Sequence, residues 1–534
     1  MLEIIVTVIY IAVLSYLAYL GFKGTKNAKD YLIGGGEIHP FVMALSYGAA
    51  FISTSAIVGF GGAAAFFGMS LLWLTFLTSA VGVFVSFVVY GKRTRKIGHN
   101  LGAHTFPEFL AKRFQSTKIQ KFVGSVIFIF MPLYAAAVMI GAAKFFEVQL
   151  DIAYPKALFF ISIIVAIYVF FGGLKGIMYA DAFQGGLMFF GMLFLIVFTY
   201  AKLGGVVEAH TSLTELMAQP GVKEQLAKMP PVFNGWTSMP EFLSVNWLIV
   251  VTSLVMGVGI GVLAQPQLAV KFMTVKSNRE LNRAVPIGGI FVLMMTGVAF
   301  TVGALSNVFF YNNPATQGKI AVVAAGGLEG IIPTYLKTAL PEWFGALFMV
   351  VLIAAGMSTL SSQFHAISTA FGHDLINSKD KSDNTQILIN RIGVLLAFIL
   401  TYLLAAYLPM IWNAAIARAT AIFFGLCAAS FLPMFTGALY SKRISRKAAC
   451  TGMITGFSTS LFWMIFVHFK TATALGICKA IFDKPFIFDK ATKLPFVDPI
   501  VVALTLSIIV TVVMTFATKQ DLEEEHLAKA FKGV

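Results

Sequence analysis

Charged residues are scarce in this sequence, and their scarcity excludes most classes of soluble protein. Only 12% of the 534 residues are Asp, Glu, Lys or Arg, whereas 58% are hydrophobic and the mean hydropathy is +0.84. Soluble domains carry about a quarter charged residues, which they need to cover their surface. The sequence therefore predicts an all-α polytopic membrane protein, whose units are hydrophobic spans and not soluble domains.

Cysteine and the motifs of enzymes are also scarce or absent. Cys427, Cys450 and Cys478 are too few and too irregularly spaced for a disulfide framework or a zinc site. The sequence has no His-Glu-x-x-His pattern and no Gly-rich phosphate loop, so we do not expect an enzyme. Its net charge is +15, but Lys and Arg fix the topology of a membrane protein, so we expect no nucleic-acid partner.

Hydrophobic runs of about twenty residues, long enough to cross a bilayer as helices, recur along the whole chain. We predict about thirteen transmembrane helices, near residues 2–22, 40–66, 69–91, 119–147, 156–173, 177–201, 243–270, 284–311, 341–375, 387–408, 411–440, 448–468 and 498–517. The first run lacks a basic start and a small-x-small cleavage site, so we interpret it as a retained helix.

The basic loops all fall on one side of this predicted topology. They follow the first, third, seventh, ninth and eleventh helices and contain Lys23, Lys26 and Lys29; Lys92, Arg93, Arg95 and Lys96; Lys271, Lys276, Arg279 and Arg283; Lys379 and Lys381; and Lys442, Arg443, Arg446 and Lys447. Loops rich in Lys and Arg stay in the cytoplasm. We therefore predict a multi-pass protein of the cell (plasma or inner) membrane, with its N-terminus outside and its C-terminus in the cytoplasm.

Two of the predicted spans contain glycine-rich stretches. Their glycines are Gly59, Gly61 and Gly62 after residues 48–55, and Gly257, Gly259 and Gly261 before residues 265–267. Glycine lowers helix stability and Pro266 lacks a backbone donor, so both stretches are candidate helix breaks, although glycine also permits close helix packing. The two spans are five helices apart and run in opposite directions, as paired broken helices do in inverted-repeat transporters.

A cluster of hydroxyl groups lies deep inside the ninth predicted span. Its members are Ser358, Thr359, Ser361 and Ser362, which share one helix face through i, i+3 and i+4 spacing. Oxygen ligands suit a hard cation such as Na+, but Ser and Thr also let membrane helices pack closely. The cluster alone leaves both interpretations open.

Several motifs in order resemble those of the sodium:solute symporter family, closest to its pantothenate, monocarboxylate and proline branch. They are Asp-Tyr-Leu-Ile-Gly-Gly-Gly at 30–36, Phe-Gly-Gly-Leu-Lys-Gly at 171–176 followed by Asp181 and Gln184-Gly185, Gln-Pro-Gln at 265–267, Lys-Phe-Met at 271–273, and Met-Ser-Thr-Leu-Ser-Ser-Gln at 357–363. The resemblance covers nearly the whole chain. It implies a leucine-transporter-like 5+5 inverted repeat with one extra N-terminal and two extra C-terminal helices.

This resemblance also divides the chain into regions. They are an N-terminal helix with a cytoplasmic loop (1–30), the first inverted repeat (31–203), an extracellular loop (204–242), the second inverted repeat (243–447), two C-terminal helices (448–518) and a cytoplasmic tail (519–534). As partners we expect a small organic solute and the lipid bilayer, with no nucleic acid, and we expect the protein to be a monomer.

The resemblance implies a site for Na+, the coupling ion. Its ligands would be the carbonyl groups of Ala49, Ile52 and Ala355 and the hydroxyl groups of Ser358 and Thr359. Five neutral oxygens can replace water around Na+ without the deep energy well that a carboxylate creates, so the ion can leave again.

Some members of the family hold a second Na+ ion, and the matching positions here are Asp181, Ser358, Ser361 and Ser362. A carboxylate inside a span is costly, which makes Asp181 a functional candidate. Alternatively, Asp181 lies near the cytoplasmic mouth, where water reaches it. Proton coupling through Asp181 is a further alternative.

The solute is expected near the bilayer midplane, between the two helix breaks. Candidate wall residues are Phe51, Ser53, Thr54, Ala56, Met256, Gln265 and Gln267, with Tyr134 as a further candidate. Residues 51–59 look closest to the pantothenate and monocarboxylate branch, whereas the proline transporters carry an acidic residue where this chain has Phe51. We therefore predict alternating-access, Na+-coupled uptake of a monocarboxylate or pantothenate-like carboxylate. A Na+/proline-type amino acid symporter and a proton-coupled carrier are the alternatives.

Lys144, near the end of the fourth predicted span, and Arg418, within the eleventh, are two cations that could meet the charge of such a solute. Lys144 precedes Glu147 by three residues, which indicates an ion pair on one helix face. For Arg418 the sequence favours a side chain that extends toward the outer surface.

Overall fold

A computed structural model of the protein describes residues 2–24, 28–36, 38–171, 174–227, 235–376, 382–412 and 414–534. Within these ranges every regular element is helical. Ten helices are long and apolar enough to cross a membrane, and three shorter apolar helices cover Ile5–Leu17, Pro40–Phe51 and Tyr154–Ala166. Together they occupy the positions of the thirteen predicted spans, so the prediction of an all-α polytopic membrane protein is confirmed.

In the described part of the chain the bundle has fifteen principal helices, because two of the predicted spans are each split into two. They are α1 (Leu2–Gly24), α2 (Pro40–Phe51), α3 (55–67), α4 (72–101), α5 (Thr117–Leu150), α6 (Tyr154–Phe171), α7 (Leu174–Lys202), α8 (Val245–Ala264), α9 (266–274), α10 (Asn278–Asn312), α11 (Glu342–Leu375), α12 (Asp383–Ile411), α13 (Ala415–Tyr440), α14 (Arg446–Val467) and α15 (Pro499–Ala517). Shorter helices lie in the connections: Ala28–Ile33, Phe106–Arg113, Val206–Glu215, Val222–Ala227, Ala321–Ala324, Ile331–Ala339, Phe469–Leu475, Ile477–Phe482 and Glu524–Ala530.

Polar side chains at the ends of the spans determine where several helices begin. Ser277 accepts a hydrogen bond from the Glu280 amide at the start of α10, and Ser445 accepts one from the Ala448 amide at the start of α14. Asp498 accepts one from the Ile500 amide and is followed by Pro499. These side chains accept hydrogen bonds from amide groups that have no partner inside the helix. Proline at the first position has no amide hydrogen and so needs no acceptor.

The two split spans change direction at single residues with extended backbone. Ile52 (φ −88°, ψ 110°) separates α2 from α3, and Gln265 (φ −75°, ψ 116°) separates α8 from α9. The sequence thus located both breaks within the correct stretches. The division into repeats at 31–203 and 243–447, and the orientation of the termini, stay predictions.

The glycines of these stretches lie beside the breaks and serve close helix packing. A Cβ atom on Gly59 would lie 2.4 Å from Ile416, one on Gly259 would lie 2.4 Å from Leu77, and one on Gly62 would lie 2.1 Å from the carbonyl oxygen of Leu328. The packing interpretation of these glycines is therefore the correct one, because the chain changes direction elsewhere.

Gly62→Ala tests this packing. We expect it to destabilise the protein by about 1–3 kcal/mol, because its Cβ would collide with backbone, which cannot rotate away as a side chain can. Gly289→Ala, in α10, is the matched control, since a Cβ there would meet no atom within 4 Å. Thermal unfolding of the purified protein should show a lower midpoint for Gly62→Ala only; equal midpoints would contradict the packing.

The helices that carry the candidate ion-site residues meet in the middle of the bundle. α7 packs against α1, α2 and α11, and α11 packs against α2 and α5. Their contact surfaces are buried, including most of α11 from Phe344 to Thr369. Residues from α2, α7 and α11 are thereby brought together away from the surface.

Candidate functional site

The first helix break exposes a backbone carbonyl to the hydroxyl cluster. Because the chain leaves the helical path at Ile52, the carbonyl oxygen of Ala49 lies at the end of α2. It accepts hydrogen bonds from Ser358 Oγ at 2.9 Å and Thr359 Oγ1 at 3.2 Å. Ser358 Oγ also lies 3.3 Å from the carbonyl oxygen of Ala355. These contacts link four of the five predicted sodium ligands to one another through Ser358 and the Ala49 carbonyl.

The chemistry of this cage suits Na+. Ile52, the fifth predicted ligand, lies at the break three residues beyond Ala49, and all five residues are at most 1% exposed. The C-terminal end of α2 points its partial negative charge at the cage, and the two hydroxyl groups can turn their lone pairs toward a cation. Sodium binding at this cage stays a prediction.

Asp181 lies in α7 and is completely buried, so the alternative of a water-accessible position is wrong. Its carboxylate accepts hydrogen bonds from Ser361 Oγ at 3.4 Å and Ser362 Oγ at 3.3 Å. Ser46 Oγ donates a third, at 2.9 Å. The structure thus brings together the residues predicted for a second Na+ ion, whose binding stays a prediction.

Lys271 is the residue that the sequence reasoning misplaced. It was counted as a loop charge, but its side chain is completely buried and its Nζ lies 3.1 Å from Asp181 Oδ2. The missed signal is that Lys271 is the only charged residue between Val245 and Val275, within a strongly apolar segment. An isolated charge in such a segment indicates an internal partner.

A small cavity of about 20 Å³ lies at the first break, between α3 and α13. Of the predicted solute residues, Phe51, Ser53, Ala56 and Tyr134 line it, as does Ile52 of the predicted sodium cage. The remaining lining residues, which the sequence did not single out, are Ser55, Phe60, Leu74, Thr78, Val258, Thr296, Phe300, Thr420 and Phe424. Within the described ranges no charged side chain lines this cavity.

The other predicted solute residues lie elsewhere. Thr54 donates its hydroxyl hydrogen to the carbonyl of Val138 in α5, away from the cavity. Gln265 and Gln267 bond to each other at the second break, and Gln267 lines a separate small cavity with Ser362 and His365. Met256 lies in α8 and is not among the lining residues of the cavity at the first break.

A much larger cavity of about 1230 Å³ opens at the end of the bundle predicted to face outward. Lys144 lines it and pairs with Glu147 at 2.9 Å, as predicted. Arg418 lines it too, and its guanidinium group forms no ion pair within 4 Å among the described residues. Glu329 accepts the Ile416 amide hydrogen at 3.0 Å, and burial raises the pKa of its carboxyl group.

Comparison with known proteins agrees with the resemblance in the motifs. The model of the sodium:solute symporter family matches residues 31–456. Sodium/proline symporter 2 of Staphylococcus saprophyticus is 28% identical over 450 residues, which cover 83% of this chain and 81% of that protein. The osmoregulated proline transporter OpuE of Bacillus subtilis is 27% identical over 444 residues, with coverage of 82% and 84%. The sodium/proline symporter of Salmonella typhimurium is 26% identical over 443 residues, with coverage of 82% for both chains.

Solved structures share the architecture. A Na+-coupled sialic acid symporter, in a substrate-bound outward-open state, aligns with a TM-score of 0.74 at 18% identity, over 98% of this chain and 99% of its own. Mhp1, a transporter of the nucleobase-cation-symport-1 family, aligns with a TM-score of 0.52 at 12% identity, over 95% and 99%. These likenesses confirm the leucine-transporter-like fold. With the family match over most of the chain, they establish that the protein belongs to the sodium:solute symporter family and is a multi-pass membrane carrier that couples solute transport to Na+, not an enzyme.

Proposed function

We propose that the protein takes up a small amino acid of the proline type together with Na+. The monocarboxylate or pantothenate-like substrate predicted from the sequence is not confirmed, because the relatives are named as proline carriers. The alternative of a Na+/proline-type symporter is therefore the better supported one. The observation that carries it within the structure is the uncharged, aromatic cavity beside the sodium cage.

The wall of this cavity suits a small ring that carries a carboxylate. Phe51 and Phe424 lie with ring centroids 6.2 Å apart, and Tyr134 lies 5.0 Å from Phe424. Such rings offer apolar faces to a five-membered ring. The carboxylate would face residues 53–55, where α3 begins, because a helix N-terminus and its hydroxyl groups favour a negative charge.

The lining of this cavity also disfavours strongly basic solutes. Phe51 stands where the proline transporters carry an acidic residue, so an ammonium group would find no carboxylate among the lining residues. It would instead rely on carbonyl oxygens at the end of α2, which carry partial negative charge. Because of this difference at Phe51, a monocarboxylate, which has no amine, stays the second candidate solute.

Sodium and solute would meet at Ile52. Its carbonyl group belongs to the proposed sodium cage and its residue lines the solute cavity. Sodium would hold α11 against the end of α2 and so fix the wall against which the solute binds. Each ligand would then raise the affinity for the other, since coupling between two sites is reciprocal. The proposed direction is inward, with the N-terminus outside and the C-terminus in the cytoplasm.

Uptake into proteoliposomes tests this proposal. We expect an inward Na+ gradient to drive accumulation of radiolabelled L-proline at least tenfold above liposomes with K+ in place of Na+. Pyruvate and pantothenate are offered under the same conditions, and a pH gradient without Na+ is the control for proton coupling. Uptake of pyruvate or pantothenate but not proline would establish the second candidate, and uptake driven by the pH gradient alone would contradict sodium coupling.

A further inference from the structure

Lys271 and Asp181 form an ion pair with every ammonium hydrogen satisfied. Besides Asp181 Oδ2 at 3.1 Å, Lys271 Nζ donates to the carbonyl oxygen of Ser46 at 2.8 Å and to Ser46 Oγ at 2.7 Å. An ammonium group has three hydrogens, and these are three acceptors. Oxygen atoms therefore surround the buried cation, as they would surround a bound alkali ion.

The carboxylate of Asp181 belongs to the predicted second sodium site, whose other members include Ser361 and Ser362. The Lys271 ammonium group shares this carboxylate with their hydroxyl groups. A buried carboxylate requires a positive partner, and Lys271 already provides one. A Na+ ion placed there as well would bring a second positive charge beside the ammonium group. Repulsion between like charges is far stronger in the protein interior than in water.

We propose that the ammonium group of Lys271 is the resident cation of this second site, so that one Na+ ion accompanies each solute. The inference rests on the proposed function, with its sodium cage and solute, and specifies the stoichiometry of the coupling. Because the ammonium group is covalently attached to α9, it cannot cross the membrane and adds nothing to the driving force. With a zwitterionic amino acid, each cycle then moves one positive charge; with a monocarboxylate anion, it moves none.

The pair also connects the elements that form the first sodium cage. Lys271 lies in α9, directly after the second helix break, whereas Ser46 lies in α2, three residues before Ala49. Ser361 Oγ bonds both Asp181 and the carbonyl oxygen of Ser358 at 3.1 Å. The pair thereby holds both broken helices and α11 together.

Binding of ²²Na+ to the purified full-length protein tests the stoichiometry. The wild type is expected to bind one Na+ per chain, with a Hill coefficient of one. Lys271→Met keeps the length of the side chain but leaves Asp181 without a cation, so we expect two Na+ per chain and a Hill coefficient rising toward two. The double variant Asp181→Asn/Lys271→Met contains neither charge and should return to one.

Two results would overturn the inference. One is binding of two Na+ ions by the wild type, which can be measured even if Lys271→Met does not fold. The other is a folded Lys271→Met variant that still binds a single Na+ ion. If the wild type binds one Na+ but does not take up proline, the proposed solute is wrong and the inference about Lys271 is supported.

Discussion

Replacing Ser358 and Thr359 together by alanine is expected to raise the Na+ concentration for half-maximal uptake at least tenfold. Both hydroxyl groups contact the Ala49 carbonyl, so the double variant removes two of the five proposed ligands at once. A lost contact to a charged partner costs about 1.5–3 kcal/mol, and 1.4 kcal/mol corresponds to a tenfold change in affinity. Initial uptake rates measured against Na+ concentration in proteoliposomes give this value.

Thr369→Ala is the matched control for this double variant. Thr369 lies on the same helix and is buried, but its hydroxyl group donates only to the carbonyl of Ala366 within its own helix, at 3.1 Å. It should leave the Na+ dependence unchanged. If Na+ acts at the cage, saturating Na+ should return the solute concentration for half-maximal uptake by the double variant to the wild-type value. An unchanged Na+ dependence in the double variant would contradict the assignment of the cage.

Hydropathy predicted the spans well because a bilayer permits few structures. A chain without water around it must satisfy its backbone polar groups internally, so each apolar run of sufficient length becomes a helix. The position of each helix break was harder to predict. Glycine-rich stretches indicated the right region, but Ile52 and Gln265 are the residues with extended backbone. Glycine indicated the region of each break because the helices beside a break also pack closely.

The sites were less predictable than the fold, because they depend on contacts between distant parts of the chain. Hydroxyl spacing placed Ser358 and Thr359 on one face, but no local pattern shows that Lys271 reaches Asp181, 90 residues earlier. The same limit explains why Thr54 was predicted to face the solute. Its neighbours line the cavity at the first break, whereas its own side chain faces α5. Which face of a short, irregular segment is directed inward depends on its neighbours, and a single sequence does not contain that information.

The cavity that we propose for the solute also constrains how transport proceeds. Its volume of about 20 Å³ holds about one water molecule, so a solute cannot enter while the aromatic walls keep their present positions. The ring of Phe424 contacts those of Phe51 and Tyr134 across the cavity. Any side chain that occupies the same space should therefore act as a competitor of the solute.

Ala56→Leu is expected to lower solute uptake at least tenfold while leaving Na+ binding intact. Ala56 lines the cavity and is partly exposed to it, so the added carbons would take the space that the solute needs. To bind, the solute would have to push these carbons aside, and the strain of about 1–3 kcal/mol that overpacking causes would lower its affinity, by about tenfold for each 1.4 kcal/mol. Ala12→Leu is the control, because Ala12 is exposed on the surface of α1. Solute uptake is measured in proteoliposomes, and Na+ binding is measured as the rise in the thermal unfolding midpoint when Na+ is added. If Ala56→Leu transports at the wild-type rate, the solute binds elsewhere; if it loses both uptake and stabilisation by Na+, the two sites are a single unit.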